Sequence, residues 1–195
     1  MTDAERLAEL AGKPLNFDAD QPHSESDGWR IDDYCEVVGH EAPGDPEPDG
    51  PFARCRQLLA DYKVADPSMV RATYDHDAPL KGRDMLLEIR FGPIRLHAGC
   101  RIGDITDERR TEDGRPVQIW GWAYQTLEGH IEQGQMNWET WKWTDTGEVQ
   151  FRIHSYSRNA EARNWFVNTG FKVFGQWQRR LYLQHACQRM AEMAA

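Results

Sequence analysis

The stretch VQIWGWAYQTLEGHIEQGQMNWETWKWTDTGEVQFRIHSY, residues 117–156, decides the fold. Val117, Ile119, Gly121 and Ala123 alternate with Trp120, Trp122 and Tyr124, a period of two that predicts a strand with two unlike faces. Met136–Trp143 and Glu148–Tyr156 repeat the period, and Asp145–Thr146–Gly147 between them reads as a turn. Strands joined this closely pair as antiparallel neighbours, because a parallel crossover needs a dozen or more residues. Trp120, Trp122, Trp138, Trp141 and Trp143 all fall here. Trp138 and Trp141 have opposite parity, so the rings divide between a core face and the other face of the sheet.

Upstream, Met85, Leu87, Ile89 and Phe91 alternate with Leu86, Glu88 and Arg90, and Gly92–Pro93 makes a turn. Ile94, Leu96, Ala98, Cys100 and Ile102 share one face of the next strand, and Glu112–Asp113–Gly114 reads as a hairpin turn. Further back lies a compact apolar strand at Tyr34–Val38. The run from His40 to Pro51, with Pro43, Gly44, Pro46, Pro48 and Gly50, must be a loop. Pro51 suits the first position of a helix, where its missing N–H costs nothing, and Phe52, Cys55, Leu59 and Tyr62 form one helical stripe. At the start, Thr2 and Glu5 have capping-box spacing for a helix over Thr2–Leu10, with Leu7 and Leu10 on one face and Gly12 and Pro14 ending it. A polar, turn-rich passage follows to about Gly28. From about Asn159 the chain reads as a long helix, with Phe171, Phe174, Gln178, Leu181 and His185 as its stripe, Trp177 beside it and Gly170 as a break.

The order is strand, helix, five or six antiparallel strands, then a long helix. The sheet must bury its apolar face, and the final helix is the only large element available to cover it. The expected class is therefore α+β: a curved antiparallel sheet wrapped around a long C-terminal helix, with residues 1–30 as an N-terminal helical or extended arm packing on one domain over 31–195. Where sheet and helix diverge, they leave a tapering cavity of the kind that takes apolar ligands.

Composition excludes several classes. Of 195 residues, 39% are apolar and 11% aromatic, which a disordered chain does not show. The net charge of −9 is uneven: residues 1–50 hold 14 acidic and 3 basic side chains, and the remainder 18 and 20. A near-neutral body with an acidic leader does not fit nucleic acid, although the stretch from Arg158 to Ala195 is basic through Arg158, Arg163, Lys172, Arg179, Arg180 and Arg189. One expectation is that the acidic segment folds back onto this basic helix. No window reaches the roughly 18 apolar residues of a membrane span, and MTDAERLAELAG has no basic region leading into an apolar stretch, so it does not read as a secretory signal. Cys35, Cys55, Cys100 and Cys187 stand at long, unequal spacings without a CxxC pair, as free thiols do in a reducing cytoplasm.

The segment GWAYQTLEGHIEQG, residues 121–134, resembles the central motif of uncharacterised protein family 0548, the DUF1990-type domain of unknown function, close to YGTLPGHPExGE. Tyr124, Thr126, Leu127, Gly129, His130, Glu132 and Gly134 match it, whereas Gln125, Glu128, Ile131 and Gln135 depart from it. FRIHSYSRN at Phe151–Asn159 is similar to the family's FxIxAFSRP, with Asn159 departing at the Pro position. Tyr34–Gly39 with Phe52, Leu58 and Leu59, and Gln178 with Tyr182, are further points of similarity. The likeness spans about Leu15 to Arg189. It implies a helix-grip fold similar to the lipid-transfer and polyketide-cyclase superfamily, and it implies no activity.

Tyr124–Glu132 is the densest polar cluster. Tyr124, Thr126 and His130 offer a phenol, a hydroxyl and an imidazole, and a glutamate near an imidazole can fix its tautomer and raise its pKa. The bland alternative is a strand connection whose side chains satisfy loop backbone, with Gly129 and Gly134 at turn positions. His154 directly precedes Ser155 and lies three residues before Ser157 on a strand, so hydroxyls and imidazole face opposite ways and form no nucleophile–base pair. His97 and Cys100 diverge likewise, Asp75–His76–Asp77 has no partner at ligand spacing, and Gly92, Gly99 and Gly103 make no phosphate loop. No metal and no cofactor are expected. The first reading is a non-enzymatic domain that binds a small apolar or amphipathic ligand between sheet and C-terminal helix, anchored by Tyr124, Thr126, His130, Tyr156 and Arg158. The second is a cyclase-like or hydrolytic enzyme with His130 as acid/base and Glu132 orienting it. The third is an interaction module with an aromatic outer sheet face.

Overall fold

The computed structural model describes the backbone of residues 1–160 and 165–195, and their side chains apart from Phe91 and residues 165–176. In chain order the elements are α1 (Asp3–Ala8), β1 (Arg30–His40), α2 (Pro51–Ala60), β2 (Val70–Tyr74), β3 (Asp84–Phe91), β4 (Ile94–Glu112), β5 (Arg115–Thr126), β6 (Glu132–Trp143), β7 (Glu148–Asn159) and α3 (Trp165–Ala194). One antiparallel sheet runs β1-β7-β6-β5-β4-β3-β2. Six strands follow α2, and β2 is the one without a clear alternation in the sequence. No helix among the described residues is long and apolar enough to cross a membrane.

The alternation read from residues 117–156 sets the two faces. Trp122 lies directly opposite Trp138, and Trp138 opposite Ile153, all on the inner face. Trp138 stacks on Phe151 with ring centroids 6.1 Å apart and planes 9° from parallel. Burying a ring such as Phe151 stabilises the fold by about 2–3 kcal/mol relative to exposure. Phe52, Cys55 and Leu59 of α2 close this face from one side. From α3 it receives Leu183, Ala186, Cys187, Met190 and Ala194, at helical spacings of 3, 1, 3 and 4. This stripe is rotated from the expected one: His185 is exposed and Leu181 only half-buried, while the side chains of Phe171 and Phe174 lie outside the described residues. The helix also continues through Gly170 without a break.

Several boundaries differ for local reasons. β4 runs 19 residues, well past Ile102, because a bulge between Ile102 and Ile105 turns the chain and pairing with β5 then resumes to the Asp113–Gly114 turn. α2 stops at Ala60, and Tyr62 sits beyond it at φ 52. The Tyr62 N–H donates to the Leu59 carbonyl (3.0 Å) and the Lys63 N–H to the Leu58 carbonyl (2.8 Å). These are the two bonds of a Schellman cap, with tyrosine where glycine ordinarily stands.

The other end of α2 is held at a distance. Glu41, just after β1, accepts the Phe52 N–H (2.8 Å) and the Glu47 N–H (2.9 Å) and pairs with Lys142 of β6 (2.6 Å); Lys142 Nζ also donates to the Asp45 carbonyl (2.8 Å). Both charged side chains are fully buried. The carboxylate thus caps the helix N-terminus that Gly50, which has no side chain, leaves open.

The outer face carries Val117, Ile119, Trp141 and Trp143 as a second cluster. Guanidinium groups lie over it: Arg152 at 4.0 Å and Arg110 at 5.1 Å from the Trp141 ring, Arg115 at 4.3 Å from that of Trp143. The N-terminal arm covers another part of the same face. Thr2 and Glu5 make both bonds of the capping box, and Leu10 packs with Leu7, Leu15, Leu86 and Leu127. A Cβ at Gly99 would collide with Leu10, so the small residue is what admits it. The arm therefore docks on the sheet through these leucines, while of the acidic first fifty residues it is Asp32, on β1, that reaches the basic final helix, at Arg179 (2.8 Å).

Candidate functional site

Between the inner face of the sheet and α3 lies a cavity of about 110 Å³. Leu87 and Ile89 of β3 with Met69 and Val70 form one wall, Tyr124 and Met136 another, and Gln178, Arg179 and Tyr182 of α3 cross over it. The β5–β6 connection, carrying His130 and Ile131, borders it at one end. β5 ends where Thr126 folds its hydroxyl under the loop: Oγ1 donates to Asn16 Oδ1 (2.6 Å) and accepts the Gly134 N–H (2.9 Å). The hydroxyl is fully engaged in shaping the loop, so Thr126 contributes wall rather than a free polar anchor.

His130 is positioned by main chain. Its Nδ1 lies 2.9 Å from the Glu132 amide and 3.0 Å from the Glu132 carbonyl. The amide is a fixed donor, which assigns Nδ1 as acceptor and the ring proton to Nε2. Burial lowers the His130 pKa; the Glu132 charge pulls the other way without overcoming it. The ring is therefore neutral at pH 7.

Glu132 does not orient His130 through its carboxylate. Oε1 accepts from Arg30 Nη2 (2.7 Å) and Oε2 from Arg179 Nη1 (3.0 Å). Arg179 also donates Nε to Asp32 (2.8 Å) and Nη2 to the Ser155 hydroxyl (2.8 Å), and Arg30 reaches the Ser157 hydroxyl (2.8 Å). Two arginines and two carboxylates balance, tying α3 to β1, β6 and β7 beside the cavity. Arg30, Asp32 and Arg179 were not singled out as a set by the sequence. Their signal is positional: Asp32 stands opposite Ser155 in the β1–β7 register, and Arg179 is one helical turn before Leu183 on the buried stripe.

Tyr156 and Arg158 share a face, but it is the outer one. Tyr156 stacks on His23 (centroids 4.2 Å, planes 7° apart) and meets Phe17 and Trp29 edge-on. The Arg158 guanidinium lies 4.5 Å from the Trp29 ring, and its Nε donates to Gln133 (2.8 Å). Of the five expected anchors, Tyr124, Thr126 and His130 meet at the cavity, while Tyr156 and Arg158 hold the arm against the back of the sheet.

Two phenols border the cavity, and a third lies in the core nearby. Tyr124 and Tyr182 line it, and Tyr62 lies against Trp122 with centroids 6.0 Å apart. Burial pushes the Tyr182 phenol up to about 12 and raises those of Tyr62 and Tyr124 well above the ordinary phenol value. The hydroxyls of Tyr62 and Tyr182 are buried with no hydrogen-bond partner of normal geometry among the described residues.

Asp3, Glu88 and His97 place ligand atoms within 4.8 Å of one another on the outer face. Arg71 and Arg90 already pair with those carboxylates at 2.6 Å each, which answers their charge without a cation.

A family model described as "Domain of unknown function (DUF1990)" matches residues 16–189. No curated protein matches the sequence. Among solved structures, a norcoclaurine synthase point mutant from Thalictrum flavum, in complex with a transition-state analogue, is similar at 10% identity and a TM-score of 0.50, covering 85% of this chain and 94% of that one. The ZhuI aromatase/cyclase from a Streptomyces species is similar at 12% identity and a TM-score of 0.50, covering 85% and 93%. At such identities the likeness concerns the fold alone, and that fold is the helix grip.

Proposed function

The chain belongs to the DUF1990 family, and we propose that it holds a small apolar or amphipathic molecule between the sheet and α3 without transforming it. The observation that carries this reading is the cavity itself: about 110 Å³, walled by Leu87, Ile89, Met69 and Met136, with Tyr124 and His130 as polar groups at its border. An apolar hollow with a few polar groups is the usual form of a small-ligand site.

The other two readings have less support. The acid/base reading needs the Glu132 carboxylate beside His130, whereas that carboxylate engages Arg30 and Arg179. The interaction reading needs a bare aromatic outer face, whereas Arg110, Arg115 and Arg152 lie over Trp141 and Trp143.

Native mass spectrometry of protein purified from its own host tests the proposal, the expected result being a retained small molecule. A ligand-free mass alone, together with a benzene titration that leaves the NMR signals of Tyr124 and Met136 unmoved, would remove it.

A further inference from the structure

We propose that the His130 Nε2–H is the donor that anchors a ligand in the cavity, and that Asn16 of the N-terminal arm is the positioning residue that keeps the proton on that nitrogen. The ligand selected is a small neutral ring bearing an acceptor oxygen, a ketone or ester rather than a hydrocarbon or an acid. The proposal rests on the ligand-binding reading above and names its chemical class.

Hydrogen-bond accounting around the β5–β6 connection is the first argument. Asn16 Nδ2 donates to the Glu132 carbonyl (2.9 Å), so that oxygen has a donor without the imidazole. The Glu132 N–H still needs an acceptor, and His130 Nδ1 supplies it (2.9 Å). Both bonds favour one tautomer, with the proton on Nε2. Asn16 is itself pinned. Its Oδ1 accepts from the Thr126 hydroxyl (2.6 Å), its N–H donates to the Thr126 carbonyl (3.2 Å) and its carbonyl accepts from Gln133 Nε2 (2.6 Å). A flipped side-chain amide would set oxygen against the Glu132 carbonyl, so the orientation that serves His130 is the one held.

The free edge of the ring is the second. His130 borders the cavity, and its Nε2 has no hydrogen-bond partner among the described residues. The residue is half-buried and keeps surface of its own, whereas the hydroxyls of Tyr62 and Tyr182 are sealed. With Nδ1 turned to the main chain of the loop, Nε2 lies on the other edge of the ring. The charge of Arg179, which crosses the cavity from α3, reaches that ring. Other polar groups on the wall are engaged: Thr126 with Asn16 and Gly134, Ser157 with Arg30, and the Tyr124 hydroxyl with Met136 Sδ (3.4 Å). An acceptor oxygen at Nε2 would give the remaining donor its partner.

Size and charge define the rest of the class. An engineered cavity of about 150 Å³ lined by apolar side chains takes up benzene, so about 110 Å³ sets a single ring as the enclosed part. The arginines and carboxylates beside it pair with each other, which favours a neutral ligand over an ion.

Ligand-observed NMR titrations with cyclohexanone and methylenecyclohexane, which differ by oxygen against methylene, test this on the full chain, His130→Phe and Asn16→Leu. In a hollow without a donor the ketone binds more weakly, because its oxygen is desolvated for nothing. Here it is expected to bind at least as tightly as the hydrocarbon. His130→Phe should weaken the ketone about tenfold, the equivalent of one hydrogen bond of about 1.4 kcal/mol, and leave the hydrocarbon unchanged. Long-range proton–nitrogen spectra of the unaltered protein read the tautomer whatever the variants do: His130 should be protonated at Nε2, and cyclohexanone should move that resonance. Asn16→Leu frees the Glu132 carbonyl to accept from Nδ1, so the ring should shift toward the Nδ1–H form and lose its preference for the ketone. A merely loosened loop would leave the proton on Nε2, the form free imidazole side chains prefer. An Asn16→Leu protein with tautomer and preference intact removes the positioning role. A parent ring protonated at Nδ1, an Nε2 resonance unmoved by bound ketone, or a ketone disfavoured equally in all three proteins overturns the anchor while the cavity reading stands. Failure of both probes to bind overturns both.

Discussion

Replacing Lys142 by methionine is the sharpest test of how the fold holds the N-terminus of α2. The ammonium and the Glu41 carboxylate are 2.6 Å apart with both side chains fully buried. Methionine fills much of the same volume and leaves the carboxylate in an apolar interior. Breaking a buried pair from one side costs about 3–5 kcal/mol, a large share of the roughly 5–15 kcal/mol that a domain has. At roughly 2–4 °C per kcal/mol for this chain length, the melting temperature should fall by on the order of 10 °C. The pH dependence makes the test specific. Burial pushes the Glu41 carboxyl up, but the Lys142 hydrogen bond and the Glu47 and Phe52 N–H groups outweigh it and hold the pKa below its ordinary value. A carboxyl depressed in the folded state stabilises above its unfolded pKa of about 4.3, and that contribution is lost as pH falls through the folded value. Without Lys142 burial dominates and the sign reverses, so the variant should recover relative to the parent between pH 7 and pH 4. Urea unfolding followed by tryptophan fluorescence at several pH values reads both effects. Adding Glu41→Gln to Lys142→Met should restore most of the loss, since the amide oxygen still accepts the Phe52 N–H without a buried charge. A loss below about 1 kcal/mol, or one constant with pH, would refute the reasoning.

Three further outcomes follow from other parts of the molecule. Leu10→Ala should cost about 2–4 kcal/mol, and proteolysis of residues 1–30 should change little between low and high salt, because leucines rather than charges dock the arm; a strong salt dependence would return the arm to an electrostatic account. Because burial lowers the His130 pKa below 6.5, the folded state binds this proton less readily than the unfolded chain. Its contribution is therefore present above pH 6.5 and declines as pH falls, so His130→Gln should flatten the loss of stability from pH 7.5 to 5.5 in urea titrations. Gly134→Ala should destabilise by at least about 2 kcal/mol, because φ is 141 and the new Cβ would run into the Tyr156 carbonyl; a melting temperature within 2 °C of the parent, at roughly 2–4 °C per kcal/mol, would contradict that.

Alternation and turn residues made the sheet legible. Asp113 and Gly114 both adopt positive φ, as the hairpin reading of Glu112–Asp113–Gly114 requires, and Gly147 does the same at the next turn. Where charge replaced alternation, as over Asp104–Glu112, the strand was invisible, because a solvated hairpin is held by backbone pairing rather than by burial. The candidate site was legible in part. Tyr124, Thr126 and His130 sit where their cluster suggested, since one connection carries them all. Tyr156 and Arg158 went to the opposite side, and the same pattern contained the reason: Phe151 and Ile153 face inward, so Ser155 and Ser157 must follow them and the residues between must face out. The arginine–carboxylate set was beyond reach, because its members come from positions 30, 32, 132 and 179 and only the register of β1 on β7 brings them together.

That register has a kinetic consequence. Among the described residues β1, the first strand made, pairs with β7, the last, and with no other strand, so Arg30 meets Ser157 across 127 positions. Until β7 has left the ribosome β1 has no strand neighbour, Arg30 and Glu41 wait for Glu132 and Lys142 of β6, and Asp32 waits longest, for Arg179 of α3. Loops this long must close before any of these contacts stabilises the chain, which places folding toward the slow, millisecond-to-second end of single-domain behaviour. For much of synthesis, then, the nascent protein carries an unpaired strand and a half-covered sheet, the state in which aggregation competes with folding.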